Sequence, residues 1–380
     1  RSRGAVRNEM PPRFMEGLTA KLGPRQVMHE LLQSQIEVST RPATAFADAR
    51  AQLMSMRAAL TEHGKEFGLG IVAAGSHPFA RWDAQRLTRK RRYSKVAADL
   101  QIIGLASVLC GLHVHVEAPD PDRRVEIMYR TIPYLPVLLA LSTSSPFWQA
   151  QVTGLLGYRN AANDELPRTG LPELFRSGEE YEKYVETLVQ AKIIKDSTYV
   201  WWAIRPSLNH PTLELRITDC CTSINDALCI AALYRCLVRH LYMNPSVHAD
   251  LGPLGRSFAE ENKWRAQRYG INGTYIDIES GEALPFETML VRFALQVAED
   301  AKALDCEAEV AHARRILERG TSAHRQLAIY RAGRAAGLTR TEALREVVRW
   351  LRLSTEQGDF VEEPAGEAAG ARTPRSVAMS

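Results

Sequence analysis

Nowhere in the 380 residues does an uncharged apolar stretch approach the roughly 18 to 20 residues that a membrane-spanning helix needs; the richest run, Val137 to Leu141, stops at Ser142. No N-terminal succession of basic, apolar and small residues marks the chain for secretion. Cysteine is sparse. Cys110, Cys220, Cys221, Cys229, Cys236 and Cys306 are scattered rather than framed as a disulfide scaffold, which predicts reduced thiols in a cytoplasmic protein. Three of the four between Cys220 and Cys236 fall in or beside an amphipathic helix and read as small buried apolar residues rather than metal ligands. A Walker loop and a dinucleotide fingerprint are both missing, Gly68 and Gly70 being too few and wrongly spaced, so any nucleotide must be held by side chains and sheet edges. No G-x-S-x-G elbow surrounds Ser144-Ser145, which argues against a serine nucleophile. An excess of one charge is lacking too: a net charge of +4 does not point to a nucleic-acid partner. The one basic run, Arg86, Arg89, Lys90, Arg91 and Arg92, has a single aromatic neighbour, Tyr93, and reads as a solvated helix face or an anion-facing loop.

What is present is apolar residue enough, 45% of the chain, for one large α/β domain or two ordinary ones. Phe46, Leu53, Met56 and Leu60 recur at helical spacing and predict a helix from Thr44 to His63, with Gly64 as its stop. Ser223 or Asn225 caps a second one that ends at Asn244-Pro245. Helical pattern also covers Tyr181 to Lys192, Glu287 to Leu304, Glu307 to Gly320 and Arg325 to Arg352. Past Glu356 large apolar side chains nearly vanish. The expected organisation is a single catalytic domain over residues 1–355 and a disordered tail over 356–380.

Four short segments alternate strictly. Gln35 to Ser39 sets Ile36 and Val38 against Gln35, Glu37 and Ser39. Leu112 to Glu117 sets three aliphatic residues against His113, His115 and Glu117. Tyr199 to Arg205 places Val200, Trp202 and Ile204 on one face, with Tyr199, Trp201 and Arg205 on the other. Thr212 to Thr218 buries Leu213, Leu215 and Ile217, leaving Thr212, Glu214, Arg216 and Thr218 opposite. For any single strand, a sheet whose second face is simply wet is the commoner explanation. Together, however, the polar faces collect carboxylates, imidazoles and guanidinium groups rather than Lys, Thr, Ser and Gln. If helices cover the aliphatic face of a curled sheet, the other face becomes a cavity suited to Mg²⁺ and phosphate, hence to phosphoryl transfer.

His113 and His115 sit about 7 Å apart along one strand face. They could share an ion or ligand, begin a zinc hydrolase site, or be hydrogen-bonded structural residues; the zinc alternative needs further His or Cys ligands on other strand ends. Glu30, seven residues before Glu37, is either a partner of it or a surface salt-bridge residue. Trp201-Trp202 reads as core and lid packing.

Gly111-Leu112-His113-Val114-His115-Val116, the run from Leu138 to Trp148, Pro167-Arg168-Thr169-Gly170-Leu171-Pro172, Trp201-Trp202-Ala203-Ile204-Arg205-Pro206-Ser207 and Thr212-Leu213-Glu214-Leu215-Arg216 resemble, in that order, the carboxylate-amine ligases called glutamate-cysteine ligase type 2. The run from Glu261 to Gly270 resembles the family's later helix. The resemblance implies an α+β fold: a curled antiparallel β-sheet, a glutamine synthetase-like funnel, with helices on its outer face and ATP with Mg²⁺ or Mn²⁺ inside. Its substrates would be small molecules, glutamate or a similar carboxylate and cysteine or another amine, with activation through an acyl phosphate. It implies no nucleic acid and no membrane, and leaves a homodimer open. Carried over by motif, Glu30, Glu37, His113 and Glu214 would be metal-shell residues. Arg216 would stabilise the transferring phosphoryl group beside Glu214, and Arg205 and His115 would contact nucleotide or substrate. Glutamate-cysteine activity in such enzymes is expected to be weak, and a degenerate, ligand-binding homologue is the alternative.

Family members begin with a strand reading Gly-x-Glu-Glu-Glu and an aromatic residue. Here Arg1-Ser2-Arg3-Gly4 reads as the middle of the loop that follows it. A chain without that strand is expected to lack metal carboxylates and to expose a ladder edge.

Overall fold

The computed structural model describes residues 4–90, 99–101, 108–118, 120–175 and 177–362. In chain order its first half comprises α1 (Phe14–Leu22), β1 (Val27–His29), β2 (Ile36–Val38), α2 (Phe46–Glu66), β3 (Val114–Glu117), α3 (Pro121–Thr131), α4 (Leu135–Ser142), β4 (Phe147–Trp148), β5 (Gln151–Val152), α5 (Tyr158–Asn163) and α6 (Gly178–Gln190). There follow β6 (Ile204–Pro206), β7 (Thr212–Leu215), α7 (Ile224–Met243), α8 (Pro253–Tyr269), β8 (Thr274–Ile276), β9 (Ala283–Pro285), α9 (Phe286–Gln296), α10 (Ala298–Ala303), α11 (Glu307–Arg319), α12 (Ser322–Ala335) and α13 (Arg340–Gln357). Arg91 and Arg92 of the basic run, Tyr93, and the tail beyond Glu362 lie outside the described residues.

Helices form the body and small antiparallel sheets are set into it. Among the described residues one sheet has three strands, in the order β3-β7-β6, and the pairs β1-β2, β4-β5 and β8-β9 are separate; no closed barrel forms. Gln35 Nε2 ties the β1-β2 ladder to the segment entering β3, donating to Leu109 O at 2.9 Å. The aliphatic face of the three-stranded sheet is buried as its alternation predicts, Leu213, Leu215 and Ile204 being fully enclosed. The helices α7 and α3 cover it. All eight residues of α4 are buried. In α7, Ile230, Leu233, Leu237 and Leu241 form the inward stripe, each contributing about 1.5–3 kcal/mol through burial.

Three helix boundaries differ from expectation. In α2 the chain passes helically through Gly64 and stops at Gly68, whose φ of 68° suits glycine and whose N–H reaches Lys65 O at 3.0 Å. The pattern from Arg325 to Arg352 is two helices: Gly337, at φ 85°, turns the chain, and Thr339 with Glu342 restarts it through a capping box. The stretch from Glu287 to Leu304 is likewise split, between α9 and α10, at Val297. Ordered chain also continues past Glu356, because Phe360 packs edge-on against Trp350, ring centroids 5.0 Å apart. Ser223 caps α7, as anticipated, its Oγ accepting from Asp226 N.

Candidate active site

The register of the three-stranded sheet decides which polar residues meet. Glu214 on the central β7 lies opposite His115 of β3 and opposite Arg205 of β6. Since side chains on a strand alternate, these three share the face away from the helices, and Arg216, two residues on, joins them. Glu214 is only 5% exposed, so its charge requires partners. Arg205 Nε donates to Oε2 at 2.7 Å, and Arg216 Nη1 donates to Oε1. Burial alone pushes the Glu214 carboxyl up, but Arg216 and Arg205 outweigh it and hold it below the usual carboxylate range. Arg205 is fixed further by donating from Nη1 to Val200 O at 2.7 Å and Thr198 O at 3.0 Å. Burial and the neighbouring Arg205 bring Arg216 down to about 10, so it stays charged at neutral pH.

The two imidazoles stand at the rim of this cluster. His113 Nδ1 is 3.7 Å and His115 Nε2 3.9 Å from Glu214 Oε1, beyond hydrogen-bond range. Burial, reinforced for His113 by Arg216, lowers both rings below the ordinary histidine value and keeps them neutral at pH 7. His115 Nδ1 pairs instead with Thr212 Oγ1 at 2.9 Å.

From β2, Glu37 reaches the same region. Burial and Glu30 raise its carboxyl above the ordinary value, Arg216 opposes that rise, and Glu214 adds to it. Glu37 thus lies within electrostatic reach of both a second carboxylate, Glu30, and the Arg216 guanidinium. That donor chemistry fits a divalent cation, which takes one or two carboxylates and completes its shell with water and phosphate oxygens. Among the described residues no three His, Cys, Asp or Glu side chains converge to hold a metal unaided. Glu214, expected in the metal shell, has each oxygen taken by a guanidinium group.

Sequence reasoning missed the neighbouring residues. Arg159, buried on α5, donates to Thr218 O at 3.1 Å and to Arg216 O at 3.2 Å, bracing the end of β7. Gly111 lets it pass: a Cβ there would sit 2.8 Å from Arg159 Cζ and 3.0 Å from His113 Nε2. Asp219, fully buried, accepts from Ser145 Oγ at 2.7 Å and Ser144 N at 3.0 Å, so these serines are structural. A narrow cavity of about 20 Å³ is lined by Arg159, Asp164, Gly170, Trp201, Arg216 and Lys263, among others. Trp201 carries the Arg168 guanidinium 5.3 Å from its ring centroid, whereas Trp202 is buried and stacks on Tyr184.

A family model for glutamate-cysteine ligase family 2 matches residues 5–349. The chain belongs to this family. As a family member it is a ligase that forms carbon–nitrogen bonds. It is 46% identical over 373 residues to a Rhodospirillum rubrum protein that carries the provisional name glutamate–cysteine ligase 2, covering 97% of this chain and 94% of that one. A Bradyrhizobium sp. protein of the same provisional name is 48% identical over 326 residues, 85% of this chain and 79% of its own. The crystal structure of Francisella tularensis glutamate–cysteine ligase in complex with AMP superposes with a TM-score of 0.67, covering 96% of this chain and 87% of that one at 13% identity. At that identity the likeness concerns the fold, which the family member shares.

Proposed function

We propose that the chain is an ATP- and Mg²⁺-dependent carboxylate–amine ligase working through an acyl phosphate, with the polar face of β3-β7-β6 as the inner wall of a glutamine synthetase-like funnel. The observation that carries this is Arg216, a half-buried guanidinium held by Glu214 on one side and within electrostatic reach of Glu37 on the other. Glu37 and Glu30 would hold the metal, which when bound supplies positive charge to phosphate oxygens. Glu214 aims Arg205 and Arg216 rather than ligating that ion. A substrate carboxylate oxygen attacks the γ-phosphorus, ADP leaves, and the phosphoryl group ends on the carboxylate. The amine then attacks the activated carbonyl, loses a proton, and phosphate departs. Arg216 stabilises charge spreading over the phosphoryl oxygens, and Arg205 receives nucleotide phosphate or substrate carboxylate. The neutral imidazoles of His113 and His115 offer hydrogen bonds there without repelling the arginines.

The test is a phosphate-release screen with ATP, Mg²⁺, L-glutamate and a panel of amines including cysteine. Release that requires both the carboxylate and an amine, with one amide formed per phosphate, supports the ligase. Nucleotide binding without any such release would identify a ligand-binding homologue that has lost the reaction.

A further inference from the structure

Where the chain leaves β7 it carries one residue more than the segments on either side. Ala203 O accepts from both Arg216 N, at 2.8 Å, and Ile217 N, at 3.1 Å, so two residues after β7 oppose one before β6. The β3 side agrees. Val114 pairs with Leu215, but Gly111, three residues back, meets Asp219, four residues on. Two against one is a β-bulge, which bends the strand and re-aims the side chains at the bend. Arg216 is the first of the two, and it lines the small cavity together with Ile217, whereas strict alternation would send them to opposite faces.

A bulge interrupts the ladder, and buried carbonyls beside it need donors. The short helix α5 supplies them. Asn160 Nδ2 donates to Ile217 O at 2.6 Å, while Arg159 donates from Nη2 to Arg216 O at 3.2 Å and from Nη1 to Thr218 O at 3.1 Å. Arg159 and Asn160 are only 7% and 5% exposed. The start of α5 is itself pinned: Arg159 N donates to Ser145 Oγ at 2.9 Å, and that hydroxyl donates to Asp219 Oδ2 at 2.7 Å. The Asp219 carboxylate also faces the guanidinium, 4.0 Å from Nη1.

We infer that Arg159 and Asn160 are positioning residues: they hold the bulge, and the bulge sets the direction in which Arg216 points toward Glu214 and the reacting phosphoryl group. They act through hydrogen bonds to one stretch of backbone rather than through the substrate. The effect on rate rests on the ligase assignment above; the clamp on the bulge does not.

Turnover and hydrogen exchange together test it. Asn160→Ala should lower kcat of ATP-dependent phosphate release by about 10- to 100-fold while KM for ATP changes by less than about twofold, because a misaimed group costs rate rather than ground-state binding. In an Arg216→Ala background the same change should cost less than about twofold, since the side chain it aims is gone. A parental kcat in Asn160→Ala overturns the proposal, and so does a second loss of about 10-fold in the Arg216→Ala background, which would mark Asn160 as a support of the fold alone. Deuterium uptake in a peptide spanning Leu215 to Thr218 should be about 10-fold faster in Asn160→Ala, with peptides of α7 at the parental rate. Parental uptake over that span also overturns it. A parent protein that releases no phosphate would retire the ligase assignment, and uptake alone would then decide whether α5 holds the bulge. Should Asn160→Ala fail to fold, Arg159→Lys, which keeps a cation beside Asp219 but cannot span several carbonyls with a planar fork, carries the same expectations.

Discussion

Arg205 and Glu214 face each other across the β6-β7 ladder, and the 2.7 Å hydrogen bond between them places a buried carboxylate between two guanidinium groups. The pair fixes the direction in which both guanidinium groups point on the polar face of the sheet. Replacing Glu214 by glutamine keeps the shape and removes the charge that aims both arginines. Steady-state assays of Glu214→Gln are expected to show kcat reduced by about 100-fold or more, with about 1–3 kcal/mol of stability lost in denaturant titration. A variant with parental kcat would remove Glu214 from the machinery.

In the proposed mechanism Arg216 stabilises the transferring phosphoryl group. Arg216→Ala should lower ATP-dependent phosphate release by about 1,000-fold or more. Arg216→Lys should recover little, because one compact ammonium cannot serve Glu214 and a phosphoryl oxygen with the geometry of a planar fork. Rescue to near-parental rates by lysine would show that a point charge suffices.

Glu37 couples function to stability with a definite sign. Burial and Glu30 hold its carboxyl above the ordinary value, so the folded protein binds that proton more tightly than the unfolded chain does. Ionised Glu37 therefore costs stability, and the cost grows as pH rises above the ordinary carboxylate value. Glu37→Gln should melt roughly 1–3 °C higher than the parent at pH 8, the gain fading toward pH 4, while phosphate release is lost. A lower melting temperature at pH 8 would contradict this account of the acidic pair.

Gly111 matters through the space it leaves. Gly111→Ala must push either Arg159 or His113 aside, since its Cβ would approach both within 3.0 Å. Overpacking of this kind costs about 1–3 kcal/mol, and kcat should fall with it, although Gly111 lies outside the reacting cluster. Unchanged melting and turnover would mean that Arg159 shifts without consequence for β7.

The alternating faces of β3 and β7 were legible because a period of two forces His115, Glu214 and Arg216 onto one side. The predicted strand from Tyr199 misled. Asp196 caps a 3-10 turn over Ser197–Tyr199, and the chain only becomes a strand at Ile204. The intervening residues alternate for another reason: Trp201 N and Ala203 N bond to Arg168 O and Gly170 O, which buries Val200 and Trp202 without a ladder. Gly337 with Thr339 and Glu342 was a visible break that helical periodicity on both sides concealed. Lys263 and Asp164 left no local trace at all. They lie 99 residues apart, and only the packing of α8 joins them.

The central claim is that a substrate carboxylate is phosphorylated before the amine attacks. Turnover of L-glutamate labelled with ¹⁸O in its γ-carboxylate, together with ATP, Mg²⁺ and an accepted amine, should deliver one labelled oxygen to each phosphate released, read as the isotope shift in the ³¹P spectrum. Phosphate carrying no label while amide accumulates would contradict it.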